Sequence, residues 1–319
     1  MKLLKRMIVV LLVLLAFAVP AFSYAESDFE EGDGWFYRDG ELTILSNQGL
    51  ANFLYYEEVL SDASQEIPVS NVDRVIIGKD VTDIAINDYI YNYSPSNTTV
   101  EEGNQSYVID HDWVVNKTTI TLFGAANVKQ NQKRSVIGDL PSYIEYIGMY
   151  AFNDCSALKT IMIPKGVASI GEFCFNNCDS LESIALPSTV TSIGVGAFDH
   201  CTSLNHVNFG PNVKEIGAAA FDACIHLETL PFHNMQLDTI YGNSFWGCDA
   251  FQTVEFSPSL RLVENQAFAH CSKLTSLIFH SDQLSIENGA FDACENIRKL
   301  VFTQGVPISI GKSLFGETE

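Results

Sequence analysis

Residues 147–178 read IGMYAFNDCSALKTIMIPKGVASIGEFCFNNC, and the rest of the chain keeps returning to that text. Phenylalanine falls at Phe152, Phe175, Phe198, Phe221, Phe245, Phe268, Phe291 and Phe315, 23 residues apart with two spacings of 24. Five places before each stands a branched aliphatic (Ile147, Ile170, Ile193, Ile216, Ile240, Val263, Ile286, Ile310). Three places after the first seven stands a cysteine (Cys155, Cys178, Cys201, Cys224, Cys248, Cys271, Cys294). A fixed period in the range of roughly 20–50 residues marks a solenoid, in which each unit buries its apolar face against the next.

One unit divides into three edges. Segments of type L-x-x-I-x-I (Leu158-Ile161-Ile163, Leu181-Ile184-Leu186, Leu227-Leu230-Phe232 and their equivalents) predict a short strand whose last two apolar residues point inward. A turn follows, often with proline (Pro164, Pro187, Pro211, Pro258), and Val167, Val190 and Val213 with the aliphatics before Phe form the opposite edge. The G-x-x-A-F-x-x-C segment predicts a helical turn with Phe and Cys on one face. The expected fold is an α/β solenoid: a right-handed coil of about eight 23-residue units over 140–319, with a parallel sheet on its concave face.

Outward from the array, the chain opens MKLLKRMIVVLLVLLAFAVPAFSYAES, a basic start, an apolar run too short to span a bilayer, and Ser-Tyr-Ala. Residues 1–25 are therefore expected to be a signal peptide, with secretion or surface display and no membrane insertion after cleavage. Losing Lys2, Lys5 and Arg6 takes the net charge from −21 to about −24, which excludes nucleic acid as a partner. Residues 26–139 are expected to form a β-rich cap with imperfect repeats. Within it, 26–34 reads as a disordered acidic leader and WFYRDGELTI as a hairpin around Asp39-Gly40. Next come a helix at 50–66, a repeat-like strand in VDRVIIGKDVTDIAI at 72–86, and a loop at 92–106. Two strands around Asn116-Lys117 and a solvated linker at 128–135 complete it.

The unit resembles the leucine-rich repeats of BspA-like bacterial surface proteins, which read like IPxxVxxIGxxAFxxCxxLxx. Here the text is IPKGVASIGEFCFNNCDSL, LPSTVTSIGVGAFDHCTSL and FGPNVKEIGAAAFDACIHL. Tyr241, Glu264 and Glu287 stand where the pattern has glycine, and the last unit lacks its cysteine. The resemblance implies a secreted or surface-exposed scaffold acting as an adhesin or protein-interaction module, without catalysis or cofactor.

Stacked cysteines about 4.8 Å apart fall inside disulfide range, so distance leaves pairing open. Parallel side-chain directions and the odd count of seven favour a ladder of buried thiols serving as apolar fillers. Cys174 fills an alanine slot, and with Cys178 it could pair or bind metal, although no third ligand is in view. The seven histidines are scattered, no phosphate loop, nucleophile elbow or zinc motif is present, and four N-x-S/T sequons (Asn92, Asn97, Asn104, Asn116) occur.

Binding is therefore expected on the strand face, at Thr160/Met162, Ser183/Ala185, His206/Asn208, Thr229/Pro231, Thr253/Glu255, Ser276/Ile278 and Lys299/Val301. The expected partner is a protein or glycan of host or neighbouring cells. The alternatives are self-association through the C-terminal coil, or a carbohydrate-binding module in the N-terminal region with Trp35 and Trp113 as its aromatics.

Overall fold

The computed structural model describes residues 29–32, 35–38, 41–46, 73–82, 97–125, 128–303, 309–311 and 314–315. The signal peptide, the Asp39-Gly40 turn, the 50–66 helix and the sequon at Asn92 lie outside these residues.

The N-terminal strands β1 (Phe29–Gly32), β2 (Trp35–Arg38) and β3 (Glu41–Ile44) form an antiparallel meander, in which aromatic and β-branched residues favour β2 and β3. The expected leader is thus part of a strand: Phe29 sits opposite Arg38. Parallel to β3 follow β4 (Arg74–Ile77) and then β5 (Asn97–Val100), which takes the middle of the expected 92–106 loop into the sheet. Asn104 ties this sheet to the next segment. Its amide donates to the carbonyls of Gly78 and Val81, and its oxygen accepts from the backbone N–H groups of Ser106 and Tyr107.

The segment expected as two strands is three: β6 (Tyr107–Asp110), β7 (Trp113–Asn116) and β8 (Thr121–Ala125). Strand β7 is buried throughout because alternate residues serve two cores. Val114 packs with Trp35, Tyr37, Leu42 and Val75, whereas Trp113 and Val115 pack into the solenoid. A single turn of helix, α1 (Val128–Asn131), lies in the expected linker and leads to β9 (Val136–Ile137), so the strand edge begins within the expected 26–139 region, just after that linker. There Arg134 lies over the Trp113 ring at 5.6 Å and pairs with Asp139 at 2.7 Å.

From here the chain is a β-solenoid. One edge is β10 (Tyr146–Ile147), β12 (Ser169–Ile170), β14 (Ser192–Ile193) and β16 (Glu215–Ile216), all parallel and continuous with β8, β7 and β6 in one seven-stranded sheet. It restarts as β17 (Thr239–Ile240), β19 (Leu262–Val263), β21 (Ser285–Ile286) and β23 (Ser309–Ile310). Counted from β8, that edge makes nine turns. Partners on it are 23 residues apart for most turns, 25 between β8 and β10 and 24 between β21 and β23, so the unit is not uniform.

The α/β expectation fails on the third edge. The Phe segment is not helical: residues two before and two after each of the first seven Phe have positive φ, from Tyr150 (57°) and Asp154 (57°) to Gly289 (66°) and Ala293 (54°). Left-handed residues turn alternate N–H groups out of the coil. Phe152 N–H reaches the carbonyl of Cys174 (2.8 Å), Phe175 that of Ala197 (2.8 Å) and Phe198 that of Ala220 (2.8 Å). Each strained residue costs about 1–2 kcal/mol when it is not glycine, offset by a third ladder of hydrogen bonds between coils. Among the described residues the only helical pieces are α1 and a 3-10 turn at Phe232–Asn234.

Inside, Phe152 through Phe291 form one column, with neighbouring ring centroids 5.1–5.6 Å apart and planes within 17°. Trp113 closes its first end edge-on at 5.7 Å, while Phe315 stays 41% exposed. All eight cysteines are free and buried. They are more than apolar fillers: the thiols of Cys178, Cys201, Cys224, Cys248, Cys271 and Cys294 each donate to the Phe carbonyl one coil back, at 2.9–3.3 Å. Burial pushes the thiols of Cys174, Cys178, Cys224 and Cys248 well above the ordinary range, which keeps on Cys178, Cys224 and Cys248 the protons they donate.

Candidate partner-binding face

The remaining edge carries the candidate residues. Its strands are β9, β11 (Thr160–Ile161), β13 (Ser183–Ala185) and β15 (His206–Asn208), then β18 (Thr253–Glu255), β20 (Ser276–Phe279) and β22 (Lys299–Phe302). A period of two sends Ile184, Val207 and Val254 inward and their neighbours outward. Thr160, Met162, Ser183, Ala185, His206, Asn208, Thr253, Glu255 and Lys299 are exposed; Ser276, Ile278 and Val301 are half-buried.

Register aligns these side chains across coils. Ser183 is paired with His206 and Ala185 with Asn208; Thr253, Ser276 and Lys299 form one row, and Glu255, Ile278 and Val301 another. Thr229 and Pro231 do not join. The expected Leu227–Phe232 strand is absent, since proline cannot donate to a ladder and here precedes the 3-10 turn. Phe232 instead drives its ring into the core, edge-on to Phe245 at 5.1 Å. The face is therefore two panels with a notch at Thr229, not one sheet.

Two features of this face depend on the stacking of coils. His280, expected as one of several scattered histidines, joins Glu255 (2.8 Å) to Thr303 (2.8 Å) across three coils, so Glu255 is held and oriented. Val136, 56% exposed, sits one coil before Thr160 and beside Met162, itself 69% exposed, giving the first panel an apolar end. The legible signal was Ile137, which precedes Ile161 by 24 residues and so belongs to the same column. At the other end Ile278 and Val301 are the apolar residues of the face, whereas Leu300 and Phe302 lie on the core side of β22, in register with Leu277 and Phe279.

Other sequence candidates behave differently. Trp35 and Trp113 are 2% and 0% exposed, which removes them as sugar-facing aromatics. Asn104 and Asn116 are likewise buried. Among the described residues no three His, Cys, Asp or Glu side chains are arranged to hold a metal ion, and no helix is long and apolar enough to cross a membrane.

Among known proteins, a family model matches the coils. The family described as BspA type leucine rich repeat region matches in six copies, over residues 137–249 and 233–319. No curated protein matches. Among solved structures, a leucine-rich repeat protein from Eubacterium ventriosum is 20% identical with a TM-score of 0.48, covering 77% of this chain and 60% of its own. A leucine rich cell surface protein from Faecalibacterium prausnitzii is 14% identical (TM-score 0.35, 74% and 52% covered), and the pneumococcal vaccine antigen PcpA is 17% identical (0.45, 75% and 56%). The chain thus spans 52–60% of the length of these three.

Proposed function

Because the chain belongs to the BspA-type leucine-rich repeat family, we propose that it is an exported, surface-exposed binding protein that grips a macromolecular partner on its strand face, without catalysis. The observation that carries this reading is the register of the face: exposed polar side chains repeat coil by coil on strands, flanked at one end by the exposed Val136 and Met162 and at the other by the half-buried Ile278 and Val301. Polar rows between apolar anchors suit a protein partner, whose interface needs a few desolvated apolar contacts inside a polar surround. Export rests on the N-terminal sequence pattern, and two of the structural relatives are described as a cell surface protein and a vaccine antigen.

The test is binding of the purified chain to an array of host matrix proteins, mucins and bacterial surface polymers. Replacing His206, Asn208, Thr253 and Glu255 together should weaken a saturable hit by about tenfold or more, with the melting temperature nearly unchanged. A hit that survives this replacement refutes the strand-face reading. Self-association in solution, lost when Leu300 and Phe302 become polar, would favour the assembly alternative.

A further inference from the structure

A second surface lies on the turn edge, away from the strand face. Between the coils of Phe221 and Phe291 runs an open groove of about 600 Å³, a volume typical of small-ligand sites. Its floor is set by the left-handed position two after each Phe. In the first coils that position holds Asp154, Asn177 and His200; here it holds Ala223, Gly247, His270 and Ala293. Alanine gains nothing from a positive φ, unlike asparagine, whose short polar side chain can bond locally. The consequence of Ala223 and Ala293 is space.

The groove has one aromatic wall. Of the three tryptophans, only Trp246 lines a surface: it meets His270 at 53° with ring centroids 4.8 Å apart. Ile225, 40% exposed, lines it too. Asp249 is partly committed to the backbone N–H of Ser272 (3.0 Å), whereas the Trp246 indole N–H, the His270 ring nitrogens and the Glu295 carboxylate have no hydrogen-bond partner among the described residues.

We propose that this groove binds a neutral oligosaccharide, one sugar ring lying against Trp246 and its hydroxyls meeting the Trp246 N–H, His270 and Glu295. A pyranose has an apolar C–H face and a hydroxylated rim, which matches a flat indole bordered by unpaired donors and acceptors. Acidic glycans are disfavoured by Asp249 and Glu295 within a chain of net charge −21. A cationic peptide would meet the same carboxylates, but exposed ion pairs contribute only about 0–1 kcal/mol and leave the indole face without an apolar match. The groove spans four coils, about 14 Å at the usual strand spacing, which fits a short chain of sugars rather than one ring. This site is independent of the strand face, and either can fail without the other.

The experiment titrates the purified chain with chitotetraose, cellotetraose, maltotetraose and mannotetraose, and with tetralysine, by calorimetry up to about 10 mM. At least one oligosaccharide should bind saturably, with an affinity unchanged between about 50 and 500 mM salt. Trp246→Ala should weaken that binding about tenfold or more. Ala223→Asn with Ala293→Asn fills the groove with a residue that the left-handed backbone favours, so it should abolish binding while the melting temperature holds or rises. No oligosaccharide binding, undiminished binding by either variant, or salt-sensitive binding of tetralysine alone overturns the proposal.

Discussion

The first and second halves of the solenoid close the same repeat in two ways. In the first, Gly148, Gly171, Gly194 and Gly217 form a column in which a Cβ would come within 2.5–2.9 Å of backbone in the preceding coil. Coils there are held at glycine distance, and the sheet runs unbroken from β6 to β16. In the second half the column reads Tyr241, Glu264 and Glu287 before glycine returns at Gly311, and the sheet restarts at β17. The contact is replaced by a hydrogen bond: the carboxylates of Glu264 and Glu287 accept the backbone N–H groups of Gly242 (2.9 Å) and Asn265 (3.0 Å) one coil back. A second stack, Phe256–Phe279–Phe302, at 4.8 and 5.3 Å, adds packing that the first half lacks. A repeat can therefore lose its glycine if a longer side chain turns back to cap the backbone that glycine merely approached.

The two halves differ most at the aromatic columns. Phe198 is fully buried between Phe175 and Phe221, so Phe198→Ala should cost about 3–5 kcal/mol in urea unfolding. Phe302 ends its stack and is 36% exposed, so Phe302→Ala should cost about 1 kcal/mol. Equal losses would mean that the second stack is as integral as the first.

A smaller effect separates the two closures. Gly194→Ala places a methyl 2.6 Å from the backbone nitrogen of Glu172, and overpacking against backbone should cost about 1–3 kcal/mol. Glu264→Ala removes one charged acceptor from the Gly242 N–H and should cost about 1 kcal/mol. If Glu264→Ala proves the more damaging, the carboxylate is not a substitute for close approach but the stronger device.

The repeat was legible because its period is set by what must be buried, and Phe152 to Phe291 and Cys155 to Cys294 have no alternative to the core. The conformation of the third edge was not. Phe and Cys three apart fit a helical turn as well as tandem turns, and only the left-handed residues distinguish them. Tyr150, Phe173 and Gln266 are types that rarely adopt positive φ, so composition pointed the wrong way. The outward strand positions are exposed or half-buried wherever a strand forms, and the expected strand is missing at Thr229, where the spacing has 24 residues and Phe232 begins a 3-10 turn. The His280–Glu255 pair joins residues 25 apart in sequence and needed the stacking register to be seen.

The smallest effect lies where the halves meet, just after each Phe. Asn153, Asn176, Asp199 and Asp222 occupy that position in successive coils, and Trp246 follows. The Asn176 amide lies 2.8 Å from that of Asn153 and 3.3 Å from the Asp199 carboxylate, but Asp222 Oδ1 is buried without a partner. Burial, and then the neighbouring Asp199 charge, push the Asp222 carboxyl up to about 6. A carboxyl raised on folding binds its proton more tightly in the native state. Its contribution is favourable below the unfolded value of 3.8 and is lost as pH rises towards 6, after which the penalty is constant. Asp222→Asn should therefore melt higher than the parent at pH 7.5, by an amount that shrinks below pH 6 and disappears by pH 4. An advantage that stays the same from pH 4 to pH 8 would show that the amide gains a hydrogen bond instead, extending the Asn153–Asn176 run by one coil.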